Sequence, residues 1–152
     1  MDAKKYAHGE RLRYGRQSIP YQEYLVTFVT KARFKYFEDY INARMAARGI
    51  IDNDISLHVE TMAYVVMPDH VHWLIRLKPC GYLSRVVQLY KAKISYQIGA
   101  GLWQRGFHDR AVRRMEDTID IARYIVANPL RSGLVDDIAE YPYWDAIWLT
   151  GY

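Results

Sequence analysis

Two histidines separated by one residue offer the clearest chemistry in this 152-residue chain. His70 and His72 follow a turn-forming Pro-Asp pair and begin an alternation of polar and hydrophobic residues that runs to Leu77. Alternation with a period of two predicts a β-strand, on which residues i and i+2 point to the same face. Two imidazoles held side by side can bind a divalent metal ion. The same spacing also arises by chance on half-exposed strands, so both interpretations stay open here.

The composition is typical of one globular domain over residues 1–152. Apolar residues make up 51% of the chain and charged residues 25%, which is enough for one hydrophobic core. No segment approaches the roughly 20 apolar residues of a membrane span, and residues 1–16 lack the apolar core of a signal peptide. The single cysteine, Cys80, excludes an internal disulfide framework. These features predict a cytoplasmic protein with no membrane contact.

Positive charge is concentrated in one part of the chain. Residues 76–114 contain nine Lys or Arg and one acid, whereas residues 115–152 contain two Lys or Arg and seven acids. Such segregation favours a surface that binds a polyanion, and ordinary solvated helix faces are the alternative.

The hydrophobic periods predict the fold. We expect strands at 23–30, 57–67, 70–77 and 103–107, and helices at 34–48 and about 82–98. The second and third strands form an antiparallel hairpin because only two residues separate them. This order predicts an α+β fold, a ferredoxin-like split βαβ sandwich with helices on one face of an antiparallel sheet.

Each of the two helices has a predicted hydrophobic face. The first is expected to end at Gly49 as its C-cap, and the second to end at Gly99. The predicted faces are Phe34, Phe37, Ile41 and Met45 in the first helix, and Leu83, Val86, Val87, Tyr90 and Ile94 in the second.

An extra helix is predicted from Glu116 to Asn128, beyond the split βαβ unit. On its outer face Tyr124 and Asn128 are four residues apart, which places one above the other. In a chain with 14 tyrosines, Tyr124 would ordinarily be a packing residue. Residues 129–152 are predicted to be a loop-like tail packed by its tryptophans. The predicted packing stripe of the extra helix is Thr118, Ile121, Ala122 and Ile125.

Three segments, in this order, resemble a known family. They are Met-Pro-Asp-His-Val-His-Trp-Leu-Ile at 67–75, Leu-Trp-Gln-Arg-Gly-Phe at 102–107, and Arg-Tyr-Ile-Val-Ala-Asn-Pro-Leu-Arg-Ser-Gly-Leu at 123–134. Over residues 11–134 the chain resembles the single-tyrosine HUH transposases of the IS200/IS605 type, and within them the REP-associated tyrosine transposases. The HIT nucleotide hydrolases also contain His-x-His, but they continue with another histidine where this chain has Leu74.

The resemblance implies a site and a reaction. Tyr124 would be the catalytic nucleophile, and His70, His72 and Asn128 would hold Mg²⁺ or Mn²⁺, with no nucleotide cofactor. The enzyme would nick and rejoin single-stranded DNA that carries a REP-like hairpin, through a 5′-phosphotyrosine intermediate. It would act as a monomer or homodimer in the bacterial cytoplasm, associated with the nucleoid when bound to DNA.

The resemblance also gives the basic residues a role. A basic arm at residues 1–20 and the basic segment would bind DNA phosphates. The residues concerned are Arg11, Arg13, Arg16, Lys91, Lys93, Arg105, Arg110, Arg113 and Arg114. Where we expect the family often to show Phe-Tyr-Asp, this chain has Phe-His-Asp, so His108 replaces a competing tyrosine. We expect His108 in a surface loop, and an accessory metal ligand or a proton carrier is the alternative.

Two other functions fit the same residues. A non-catalytic regulator on this scaffold would bind hairpin DNA tightly without cleaving it. A small-molecule metalloenzyme would use the histidine pair and would not bind DNA.

Overall fold

The computed structural model describes residues 21–79 and 81–149. The predicted basic arm, with Arg11, Arg13 and Arg16, lies outside the described residues. None of the helices in the described ranges is long and apolar enough to cross a membrane. In chain order the elements are β1 (Glu23–Val29), α1 (Tyr40–Ile50), α2 (Asn53–Ser56), β2 (Val59–Met67), β3 (His70–Leu77), α3 (Leu83–Ile98), β4 (His108–Val112), α4 (Met115–Val126), α5 (Asn128–Arg131) and β5 (Trp144–Ala146).

The strands form one five-stranded sheet in the order β4-β1-β3-β2-β5. All four neighbouring pairs are antiparallel, and β2 and β3 form the predicted hairpin with Met67 opposite His70. The order of the first four strands is that of a split βαβ unit, which confirms the predicted fold class. β5 extends the sheet beside β2, so the prediction that residues 129–152 are loop-like is wrong at this strand.

One face of the sheet carries the larger hydrophobic core. Trp73 on β3 is fully buried there, and its Nε1 donates a hydrogen bond to Thr61 Oγ1 at 3.0 Å. The hydroxyl of Tyr90 donates to the carbonyl of Ala46 at 2.6 Å and links α3 to α1. The whole predicted stripe of α3 is buried in this core, which confirms its orientation.

The opposite face is covered by α4. Ile121, Ala122 and Ile125 pack with Leu74 of β3 and Val65 of β2 in a second core. The stripe predicted for this helix is therefore confirmed. Near the start of the helix, Thr118 Oγ1 donates a hydrogen bond to Glu23 Oε2 at 2.5 Å, which fixes the helix against β1. Helices α1 and α3 thus lie on one face of the sheet, and the extra helix lies on the other.

The first helix differs from its prediction. It begins at Tyr40 after Asp39, whose carboxylate accepts hydrogen bonds from the backbone N–H groups of Ile41 and Asn42. Phe34 is 64% exposed and Ile41 is 49% exposed, so the predicted stripe is wrong at these two residues, whereas Phe37 is buried in the core as predicted. The buried face consists mainly of small residues, namely Ala43, Ala46, Ala47, Gly49 and Ile50.

Gly49 lies inside α1 and does not cap it, which corrects the second expectation for this helix. A Cβ atom at this position would lie 2.7 Å from Ile94 Cδ1 and 3.2 Å from Tyr90 Cε2. Both partners belong to α3 and are fully buried. The glycine therefore allows α1 and α3 to pack closely.

Replacing Gly49 by valine should destabilise the protein. Three extra carbons would enter a filled contact, and overpacking of this kind lowers the free energy of unfolding by about 1–3 kcal/mol. Urea unfolding of the variant measures the effect. Arg48→Val is the matched control, because Arg48 is exposed on the same helix. Equal unfolding midpoints for the two variants would contradict the close-packing role of Gly49.

Three boundaries also differ from the predictions. The strand expected at 103–107 is wrong, because Trp103 forms only an isolated bridge with Thr30 while its ring packs 5.0 Å from Phe28, and β4 begins at His108. The strand expected at 57–67 begins two residues later, after the short α2. The helix expected to reach Asn128 ends at Val126.

Candidate active site

The histidine pair occupies the first and third positions of β3. The two imidazole rings have centroids 4.8 Å apart and are nearly perpendicular, with an interplanar angle of 81°. Leu74, the next residue on the same face, packs under α4, while Val71 and Trp73 belong to the opposite core. The prediction that both imidazoles project from one face is confirmed, and that face is the one that α4 covers.

The imidazole of His70 is oriented by its neighbour in the chain. Its Nδ1 lies 2.7 Å from Oδ1 of Asp69. Because an ionised carboxylate can only accept hydrogen bonds, Nδ1 carries a proton and donates it. In the neutral imidazole, Nε2 then keeps its lone pair and can bind a metal ion.

The imidazole of His72 is oriented by the neighbouring strand. Thr27 lies opposite His72 in the register of β1 and β3, and its Oγ1 is 2.7 Å from His72 Nδ1. A hydroxyl can accept a hydrogen bond from Nδ1–H, which is the tautomer that leaves Nε2 available. Both histidines therefore have a partner at Nδ1 of the kind that orients metal-binding imidazoles.

His72 is held in the neutral form. Burial, the neighbouring His70, and the positive charges of Arg131 and Arg33 lower its pKa to about 4. A neutral imidazole at neutral pH is the form that binds metal ions. The two arginines thus add positive charge near His72.

The depressed pKa predicts a pH dependence of stability. The native pKa of about 4 lies below the value of 6.5 for an unperturbed histidine, so between these values the unfolded state binds a proton that the native state does not. The free energy of unfolding should therefore be unaffected by His72 above pH 6.5 and should fall as the pH drops towards 4. The total loss from this group is about 3.5 kcal/mol, at about 1.4 kcal/mol for each pKa unit between 6.5 and about 4.

Urea unfolding of the metal-free protein across this pH range measures the dependence. His72→Gln should remove most of the difference in the free energy of unfolding between neutral and acidic pH, although it also changes stability at neutral pH. An identical pH slope in wild type and variant would show that His72 does not carry the effect.

Tyr124 lies on the outer surface of α4, and 62% of its surface is exposed. The guanidinium carbon of Arg131 lies 3.8 Å from the centroid of its ring. A cation over an aromatic face attracts the ring and fixes its orientation. The side chain predicted to be the nucleophile is thus accessible and held from one side by a positive charge.

Asn128 begins α5 and does not extend α4, because the chain bends at Ala127. Its Nδ2 donates a hydrogen bond to the carbonyl of Ile125 at 3.1 Å, which leaves the amide oxygen, Oδ1, as an atom that could bind a cation. No hydrogen bond joins Asn128 to either histidine among the described residues. The prediction that Tyr124 and Asn128 share one helix is wrong, although their helices are consecutive.

The predicted metal ligands are two imidazole nitrogens and one amide oxygen. Within 21–79 and 81–149, no group of three His, Cys, Asp or Glu side chains could hold a metal ion. The two Nε2 atoms and the Asn128 amide oxygen fit an ion that completes its coordination with phosphate oxygens and water.

The basic residues predicted to bind DNA lie in two different places. Lys91 and Lys93 are on α3, on the sheet face opposite the histidines. Lys91 Nζ donates to the carbonyls of Gln104 and Gly106, both at 2.8 Å, and burial lowers its pKa. Lys93 pairs with Asp52 and Asp54. Contacts from these two lysines to DNA stay a prediction, as they do for Arg105, Arg110, Arg113 and Arg114, all of which are exposed.

His108 is the first residue of β4 and lies opposite Thr27 of β1. The expectation of a surface loop is therefore wrong, because backbone pairing to β1 draws this polar segment into the sheet. Residues opposite each other on adjacent strands share a face. His108 thus lies on the histidine face, one strand beyond Thr27.

Four residues around the histidine pair were missed by the sequence analysis as site residues. They are Thr27, Arg33, Asp69 and Arg131. Asp69 directly precedes His70, and its other carboxylate oxygen pairs with Arg33 at 3.6 Å. Arg131 lies within the segment that carried the family resemblance and could have been noticed there. Thr27 and Arg33 gave no signal, because only the strand pairing and the turn at the end of β1 bring them close.

Comparisons with known proteins agree on one family. The profile of the family described as Transposase IS200 like matches residues 18–128. A protein of Haemophilus influenzae described as a REP-associated tyrosine transposase is 30% identical over 139 residues, covering 79% of this chain and 77% of that protein. The REP-associated tyrosine transposase of Escherichia coli K12 is 29% identical over 87 residues, covering 55% of this chain and 52% of that protein.

Solved structures show the same fold. A REP-associated tyrosine transposase bound to a REP hairpin superposes with a TM-score of 0.69 at 24% identity, covering 85% of this chain and 79% of that one. A transposase structure from Deinococcus radiodurans gives a TM-score of 0.50 at 22% identity, covering 70% of this chain and 91% of that one. At these identities the superpositions support the fold alone.

Proposed function

The chain belongs to the IS200-like transposase family, and from this membership and the geometry of the site we propose that it nicks and rejoins single-stranded DNA beside a hairpin. The observation that carries the proposal is the position of α4. This helix packs on the face of β3 that bears His70 and His72, and it presents an exposed tyrosine with a cation over its ring.

The proposed reaction is a transesterification. The phenolate oxygen of Tyr124 attacks the phosphorus of one phosphodiester and forms a new P–O bond, after the phenol proton has passed to solvent. The bond between phosphorus and the 3′-oxygen breaks, and that oxygen leaves with the electron pair and takes a proton from water. The products are a free 3′-hydroxyl and a 5′-phosphotyrosine, and the reverse reaction rejoins the strand without ATP.

The residues fit a divalent metal ion, although the fit is a proposal. His70 and His72 would bind Mg²⁺ or Mn²⁺ through Nε2, and Asn128 through its amide oxygen. When bound, the ion would neutralise charge on the oxygens of the scissile phosphate. Asp69 and Thr27 would hold the two imidazoles in the tautomer and orientation that this binding needs, each by a contact of 2.7 Å to Nδ1.

The proposed partner is single-stranded DNA with a hairpin. A relative of this fold binds a REP hairpin, and the basic segment at residues 76–114 gives this chain positive charge for DNA phosphates. Arg110 on β4 lies opposite Leu25, on the same face as the histidines. An exposed basic side chain is thus present on the histidine face.

The proposal is tested by incubating the protein with Mn²⁺ and hairpin oligonucleotides carrying unpaired flanks, labelled at the 3′ end. Cleavage should yield a labelled protein–DNA adduct that survives denaturation, together with an unlabelled fragment ending in a 3′-hydroxyl. Salt-sensitive binding without cleavage under any divalent metal would identify a non-catalytic hairpin-binding regulator instead. Absence of DNA binding would favour a small-molecule metalloenzyme.

A further inference from the structure

Arg131 packs against the exposed tyrosine that is proposed to be the nucleophile. Its guanidinium carbon lies 3.8 Å from the centroid of the Tyr124 ring, so the two side chains are stacked. Arg131 follows Tyr124 by seven positions and lies on a separate helix, α5, so this contact joins two consecutive helices.

The guanidinium of Arg131 has no acidic partner in the described part of the chain. By contrast, Arg76 pairs with Glu23 and Glu60, and Arg123 lies 3.8 Å from Asp120. Arg131 is exposed, and it has five N–H donors in a planar fork that fits phosphate oxygens. Its contact with Tyr124 uses the face of the guanidinium and leaves the N–H groups at the edge available.

We propose that Arg131 binds a non-bridging oxygen of the scissile phosphate while its stacking on Tyr124 positions the nucleophile. This inference rests on the proposed function. One side chain would then bring phosphate and nucleophile together, because both bind to the same guanidinium. The hydrogen bonds would also stabilise the extra negative charge that develops on the phosphate oxygens in the transition state.

The first experiment measures binding without metal, so that no cleavage occurs. The cleavage position is mapped with wild type, and two oligonucleotides are compared, one natural and one with an uncharged methylphosphonate at that position. Arg131→Ala should weaken binding of the natural oligonucleotide by about tenfold, the typical value of a charged hydrogen bond. Binding of the methylphosphonate should change by less than about twofold, since no charge remains there for Arg131 to recognise.

The second experiment measures cleavage with Mn²⁺. Arg131→Ala should slow cleavage of the natural oligonucleotide by about 10²-fold or more, the usual effect of losing one charge-stabilising donor. Cleavage of the methylphosphonate oligonucleotide should slow far less in this variant. Arg131→Lys keeps the charge without the planar fork and should give an intermediate rate.

Arg123→Ala is the matched control. Arg123 is exposed, lies directly before Tyr124 and carries the same charge. Its removal should change the binding and the cleavage of both oligonucleotides by less than about twofold, apart from a weak general loss of attraction for DNA.

The outcomes are distinguishable. If wild type forms no adduct, the proposed function fails and this inference fails with it. If wild type forms the adduct and Arg131→Ala slows both substrates equally, or neither, the phosphate-binding role of Arg131 is overturned and the proposed function stands. Unchanged circular dichroism and thermal midpoint of Arg131→Ala would show that the variant is folded, and Arg131→Lys provides the same comparison if it is not.

Discussion

Replacing Tyr124 by phenylalanine is expected to abolish the covalent protein–DNA adduct and strand cleavage. The substitution removes a single oxygen, the atom that attacks phosphorus, and leaves the ring that stacks with Arg131. Loss of a catalytic nucleophile lowers the rate by about 10⁴-fold or more. Because the ring is exposed and the hydroxyl has no hydrogen-bond partner among the described residues, stability and hairpin binding should change little. Denaturing gel electrophoresis of labelled oligonucleotide with protein measures the adduct.

The control for Tyr124→Phe is Tyr96→Phe. Tyr96 is 93% exposed and belongs to α3, on the far side of the sheet from the histidines. This variant should cleave like wild type. An undiminished adduct in Tyr124→Phe would remove Tyr124 from the mechanism.

Replacing His72 by alanine is expected to remove metal-dependent cleavage while keeping hairpin binding. The variant loses the Nε2 atom that is proposed to bind the metal ion, and it leaves Thr27 Oγ1 without its partner at 2.7 Å. Cleavage should fall by at least about 100-fold, because perturbing even the groups that orient metal ligands costs 10–100-fold. Treating wild type with EDTA should reproduce the effect, and added Mn²⁺ should reverse it only in wild type.

The control for His72→Ala is His58→Ala. His58 precedes β2 by one residue and lies at the opposite end of the β2–β3 hairpin from His70, because Val59 pairs with Leu77. Its loss should leave both cleavage and its metal dependence unchanged. Equal cleavage by His72→Ala and His58→Ala would contradict a metal-binding role for the pair. Isothermal titration with Mn²⁺ gives an independent reading that does not depend on DNA.

Strong periodic patterns predicted most of the fold. The histidine strand, its hairpin with β2 and the stripes of α3 and α4 follow from alternation or from a 3.6-residue repeat of large apolar side chains, and the structure confirms them. In α1 the same method gave the wrong face. Its buried residues are mostly alanine and glycine, which the search for large apolar residues overlooks, while the nearby aromatic Phe34 is exposed.

The strands β4 and β5 could not be predicted from the pattern of hydrophobic residues. β4 reads His-Asp-Arg-Ala-Val, and only Val112 is buried, so its place in the sheet depends on backbone hydrogen bonds to β1. β5 has three residues and pairs only with β2. Short edge strands of this kind form by pairing with a neighbouring strand, and here that neighbour is distant in the sequence.

Part of the candidate site could be predicted. The sequence points to His70, His72, Tyr124 and Asn128 through motif and resemblance. It does not show that Thr27 orients His72, or that Arg131 stacks on Tyr124, because each contact depends on how separate elements pack. The motif therefore predicts the groups that are proposed to react, and the tertiary structure shows which other side chains contact and orient them.

Mapping the covalent adduct tests the central claim most directly. Wild-type protein is allowed to react with a hairpin oligonucleotide and Mn²⁺, the DNA is trimmed with nuclease, and the protein is digested and analysed by mass spectrometry. We expect one modified peptide, with a nucleotide linked through its 5′-phosphate to Tyr124. An adduct on any of the other 13 of the 14 tyrosines, or cleavage of the hairpin with no adduct, would contradict it.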